Sequence, residues 1–62
     1  MNFNGLRNKL KLYLNVSNKS LKKTADGIGV NVRTLRKVFD GKFNRMKAEK
    51  LFLIEDYLNR NL

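Results

Sequence analysis

Arg33, Arg36 and Lys37, in the run NVRTLRK, put three cationic side chains within five residues. A guanidinium is a planar fork of donors that stays charged, and a lysine ammonium is a compact point charge. Groups of this kind bind anions. The two side chains most often used to move protons and attack carbonyls at neutral pH are missing. There is no histidine and no cysteine, so the common general bases and nucleophiles are absent. For the same reason no disulfide and no ordinary zinc site can form. Asp26, Asp40, Glu49, Glu55 and Asp56 make no acid pair with an evident pocket, and no glycine-rich phosphate loop closing on Lys-Ser or Lys-Thr occurs. No catalytic residue, metal site or cofactor is expected, and the chain is not read as an enzyme.

The same bias runs through the whole sequence. Fourteen Lys+Arg against five Asp+Glu give a formal charge of +9 over 62 residues. Such a balance speaks to partners rather than to fold. Polyanions fit it, nucleic acid first and an anionic membrane second. The charge is graded: residues 1–25 hold six cations and no acid, whereas residues 51–62 hold Glu55, Asp56 and Arg60. No run approaches the ~18 apolar residues of a spanning helix, and the start, MNFNGLRNKLK, has no secretory pattern. A soluble, cytoplasmic protein is expected.

A chain this short makes one domain, 1–62, with no linker or repeat. It buries only about 60% of its unfolded surface, so helix packing, with or without self-association, must hold it together. Leu6, Leu10, Tyr13 and Leu14 form one face of a first helix, with Asn4 as its cap and Asn15 to Asn18 as a connection. Ser20 caps a second helix running to about Ile28, with Leu21, Ala25 and Ile28 inward. Gly27 is a blemish in it, costing about 1 kcal/mol against alanine. Asp26-Gly27 also matches a hairpin turn, but its flanks lack period-two alternation. Gly29 suits a left-handed helix end. Asn31 caps a third helix whose inner stripe is Val32, Leu35, Val38 and Phe39, and Asp40-Gly41 ends it. Asn44 caps a last helix from about Arg45 to Asn59. Its stripe is Ala48, Leu51, Ile54 and Leu58, widened by Phe52, Leu53 and Tyr57. That stripe exceeds one core face, and surplus apolar surface marks contacts, so Phe52, Leu53, Tyr57 and Leu58 are expected at a dimer interface.

Two short helices joined by a tight glycine turn make a helix-turn-helix, here at about residues 21–39, whose second helix can lie in the major groove of DNA. Ala25 is small where the helices cross, Gly29 makes the bend, Val30 seals it, and Leu35 and Val38 anchor the outer helix. The stretch SLKKTADGIGVNVRTLRKVFDGK resembles the helix-turn-helix of phage Cro/cI-type (XRE-like) repressors. It shares Ala25, Gly29, Val30, Asn31, Leu35, Val38 and Asp40-Gly41 with that family's pattern. Leu21, where many members carry glutamine, and Gly27 depart from it.

That resemblance implies an all-α, four- or five-helix, Cro/cI-repressor-like domain. It implies a transcriptional regulator that binds palindromic double-stranded operator DNA as a homodimer. No small-molecule ligand is expected, and, the chain being shorter than most cI-type domains, no separate oligomerisation domain is expected either. Carried onto this chain, the base-reading positions are Asn31, Val32, Arg33, Arg36 and Lys37. Arg33 or Arg36 can pair bidentately with guanine O6 and N7, and Val32 can pack on a thymine methyl. Ser20 resembles a family phosphate contact. Lys22, Lys23, Lys42 and Arg45 join it as phosphate-binding candidates, whereas Lys9, Lys11 and Lys19 read as a solvated face. Phe3, Tyr13, Phe39, Phe43, Phe52 and Tyr57 read as core or interface, not as stacking platforms for single strands. Two alternatives stand beside this reading. One is a protein-interaction use of the same fold, such as an antirepressor. The other is a cationic membrane-active peptide, against which the built-in turn at Gly29 and Asn31 argues.

Overall fold

Four runs of good helix formers, divided by polar or glycine breaks, become four α-helices. They are α1 Leu6–Ser17, α2 Leu21–Ile28, α3 Val32–Phe39 and α4 Ala48–Asn61. The computed structural model describes Phe3 and residues 5–62, and no strand forms among them. The cap assigned to Asn4 lies outside the described residues.

In α1 the spacing is honoured: Leu6, Leu10 and Tyr13 are buried and Leu14 is half-buried. The helix nonetheless runs on through Ser17, across most of the expected connection. Polar Asn15 lies on an exposed side, where it does not oppose helix formation. The break comes at Asn18, which adopts the left-handed conformation (φ 57°) and donates its N–H to the Leu14 carbonyl at 3.1 Å. Asparagine is among the few non-glycine residues that enter that region readily.

The segment from Ser20 to Phe39 follows local chemistry closely. Ser20 Oγ accepts from the Lys23 N–H at 3.1 Å and Asn31 Oδ1 from the Arg33 N–H at 2.8 Å, so both helix starts are capped as expected. Gly29 takes φ 91°, and the N–H groups of Gly29 and Val30 both donate to the Ala25 carbonyl, at 2.9 and 3.0 Å. A β-carbon at residue 29 would be strained there. Ala25, Leu35 and Val38 are fully buried, with Ile28 and Val30 nearly so.

Three expectations about α3 and α4 are corrected. Phe39 does not lie inward: it is 36% exposed, with the Lys11 ammonium 5.4 Å from its ring centroid. Helix α4 starts at Ala48 with Lys47 at its cap, not at Arg45 with Asn44, and it continues to Asn61. Phe43 and Met46 explain the delay. Both are partly buried against the core, and a turn closed by the Met46 N–H on the Phe43 carbonyl (3.1 Å) brings both inward before the helix begins. Ala48, expected on the inner stripe, is exposed in the first turn, while Leu51, Ile54 and Leu58 are buried as expected.

Gly27 has a reason the second helix alone does not reveal. Helix α2 runs through it unbroken, and a β-carbon there would stand 2.9 Å from the Tyr57 hydroxyl of α4. That hydroxyl lies 3.2 Å from the Tyr13 hydroxyl, and the two rings meet edge to face at 5.7 Å. The Tyr57 hydrogen bond lowers the Tyr13 phenol below its ordinary pKa against the opposing effect of burial, with help from the Lys19 ammonium 3.4 Å away. The reciprocal hydrogen bond raises Tyr57. Gly27→Ala gains about 1 kcal/mol of helix propensity. It displaces a hydroxyl pair worth a similar amount, about 0.5–1.5 kcal/mol. The substitution is therefore expected to be near neutral in the native chain. In a Tyr57→Phe background, where the nearest Tyr57 atoms left opposite are ring carbons at 3.5 and 3.8 Å, it should stabilise by about 1 kcal/mol. A urea-unfolding cycle checks this, and equal effects in both backgrounds would refute the packing explanation.

Candidate nucleic-acid interface

Helix α3 is amphipathic in the strict sense. Leu35 and Val38 have no exposed surface, while Asn31, Arg33, Arg36 and Lys37 are all exposed. The helix is fixed at both ends as well as along its inner side. Asn31 closes the start. At the other end Arg7 of α1 donates Nε to the Phe39 carbonyl at 3.1 Å. A cation at the last turn satisfies an orphan acceptor and complements the helix dipole. The outer side chains are thus carried on a rod held by α1, α2 and the core.

None of the cations on that rod is neutralised from within. Among the described residues the one ion pair inside 4.0 Å is Arg60 with Asp56 on α4, both largely exposed. Arg36 and Asp40 are four apart but form no such pair. A protein carrying +9 therefore presents its α3 guanidiniums free to meet an external anion.

The flanks extend this face. Lys37 lines a hollow of about 380 Å³ together with Lys42, Asn44, Arg45 and Met46. The structure thereby brings the two phosphate candidates beyond α3 together with a base-reading candidate on it. On the opposite flank, Leu21 at the start of α2 shares a hollow with Arg36 and Asp40. Ser20, Lys22 and Lys23, around the start of the same helix, are all exposed. Ser20 Oγ is used as an acceptor in its cap, and its hydroxyl proton remains available to a phosphate oxygen.

Two of the expected base readers are more constrained than their neighbours. Asn31 commits Oδ1 to the Arg33 N–H, leaving its amide N–H₂ to recognise an acceptor. Val32 is half-buried against the core, so only part of it is open to a methyl group. The expected dimer residues separate more sharply. Phe52 and Leu53 are 44% and 42% exposed, Tyr57 is half-buried against Tyr13, and Leu58 is fully buried. Leu58 is a core residue and belongs to no surface, because the wide apolar stripe of α4 divides between an inward and an outward side.

Three features had no sequence signal. The contact of Arg7 with Phe39 spans 32 residues, Lys11 finds the Phe39 ring, and Asn44 lines the cationic hollow instead of capping α4. No helix among the described residues is long and apolar enough to cross a membrane. No family model, curated protein or solved structure matches this chain.

Proposed function

We propose that this chain is a sequence-specific double-stranded DNA-binding regulator of transcription, related in design to the Cro/cI-type repressors. In this reading α2, the Gly29 turn and α3 are its helix-turn-helix, and the protein acts in the cytoplasm as a homodimer. One observation carries the reading: Arg33, Arg36 and Lys37 stand exposed and unpaired on a helix whose opposite side is locked into the core. Eight residues make a rod about 12 Å long, and the major groove, about 12 Å wide, admits one helix. Asn31, Arg33, Arg36 and Lys37 then read base edges, with Val32 contributing its open part. Ser20, Lys22, Lys23, Lys42 and Arg45 hold phosphates on either side and so set the register.

Size and the outer side of α4 support the dimer. The body measures 28 × 20 × 19 Å. Two copies side by side can set their α3 helices about 34 Å apart, one turn of DNA, without a linker. Phe52 and Leu53 supply exposed apolar surface for the contact.

Selection of bound duplexes from a random pool tests the proposal. A palindromic consensus with half-sites about 10 base pairs apart is the expected result. A pool that shows no enrichment after repeated rounds would remove sequence-specific DNA binding as the function.

A further inference from the structure

Beside the cationic side of α3 lies a second hollow, of about 340 Å³, lined by Leu14 of α1, Leu21 of α2, and Arg36, Phe39 and Asp40 of α3. Its floor is apolar. Leu14 and Leu21 are only half-buried, and Phe39 keeps about a third of its surface in solvent. DNA recognition gives these three side chains nothing to do. A duplex backbone is charged, and its largest apolar projection in the groove is the thymine methyl, which does not fill a space of this size. Its charged border is mixed: Arg36 and Asp40 both line the hollow, and the Lys11 ammonium, 5.4 Å from the Phe39 ring centroid, tips the local balance to positive.

An apolar floor, a border that is positive on balance and a net charge of +9 together define the complementary ligand. It carries one bulky apolar group flanked by carboxylates. The hollow sits at the lower edge of the about 300–1,000 Å³ range of small-ligand sites. Much of the attraction must therefore come from the cations around it, which a protein segment spans and a small molecule does not. We propose that this hollow docks a single large apolar side chain of an acidic protein segment, whose carboxylates pair with Arg36 and Lys11. Helix-in-groove recognition of this kind uses an apolar anchor for affinity and charge for placement. Asp40 is the one acid in the lining and sets a limit on how closely the partner's own acids approach. Because the segment takes Arg36, its binding and duplex binding exclude each other. That regulatory consequence rests on the DNA reading, whereas the docking does not.

The test uses the intact chain, isotope-labelled for NMR, and two synthetic 16-residue helical peptides of alanine and glutamate. They differ only in one central residue, phenylalanine or alanine. The phenylalanine peptide is expected to bind about tenfold or more tightly, with shifts centred on Leu14, Leu21 and Phe39. Leu21→Gln should abolish that preference and leave the alanine peptide unaffected. Arg36→Gln should weaken both peptides and keep their ratio. Equal binding of the two peptides to the native chain, or a preference that survives Leu21→Gln, would overturn the docking site. Duplex binding is measured on the same preparation. Loss of duplex binding with the peptide preference intact sinks the DNA reading alone, and the converse sinks the docking alone.

Discussion

Charge reversal at Arg36 (Arg36→Glu) is expected to lower duplex affinity by at least about a hundredfold. A bidentate arginine contact to a base is worth about 1–3 kcal/mol. Symmetric use of two copies doubles the loss, and a carboxylate beside phosphate adds repulsion. A total near 2.7 kcal/mol already reaches a hundredfold. The fold should survive. Arg36 is exposed, and its side chain has no hydrogen bond or ion pair among the described residues. The expected cost to stability is the helix-end charge effect alone, about 0.3–1 kcal/mol. Arg36→Gln separates lost contact from added repulsion and should fall between the native and reversed chains. Gel-shift titration on a selected duplex, with helix content followed by circular dichroism, reads both quantities. Native affinity in the reversed variant would remove α3 from the interface.

Leu35→Ala carries the other large effect, and it acts on the rod rather than on its charges. Leu35 is fully buried between the cationic positions of α3 and the core. Truncating a buried leucine costs about 2–5 kcal/mol in transfer and cavity terms. At about 0.05–0.15 kcal/mol per residue, a chain of 62 residues holds only about 3–9 kcal/mol in total. At mid-range values the variant should therefore lose about half of its stability, and weak duplex binding would follow from a depleted folded population. Urea unfolding gives the midpoint. A shift equivalent to less than about 1 kcal/mol would show that the Leu35 site collapses around the deletion, or that α3 is not anchored there.

The two helix starts and the turn between α2 and α3 were readable because their determinants are local. A serine and an asparagine bind N–H groups two or three residues on, and Gly29 supplies a backbone angle that few other residues adopt. The same locality made the exposed trio of Arg33, Arg36 and Lys37 legible, since burial of Leu35 and Val38 fixes which side remains outside. Where tertiary contacts decide, the sequence was silent or misleading. Asn44 is a good cap, yet Phe43 and Met46 bury first and move the helix start to Ala48. Gly27 looked like a defect of α2 and is the space that Tyr57 of α4 occupies. A stripe as wide as that of α4 does not say which apolar residues face in, and Leu58 proved buried where Phe52 and Leu53 are not. Arg7 holds the end of α3 from another helix, a contact that no helical spacing encodes.

The most direct measurement of whether unpaired cations on and around α3 grip a duplex is its affinity for one selected DNA as salt is raised from 50 to 200 mM. Six or more phosphates neutralised, as Lys22, Lys23, Lys42, Arg45 and their symmetric copies allow, predict a fall of at least about a thousandfold, linear on logarithmic axes. An affinity that stays level across that range would contradict the proposed interface, whatever the helices themselves do.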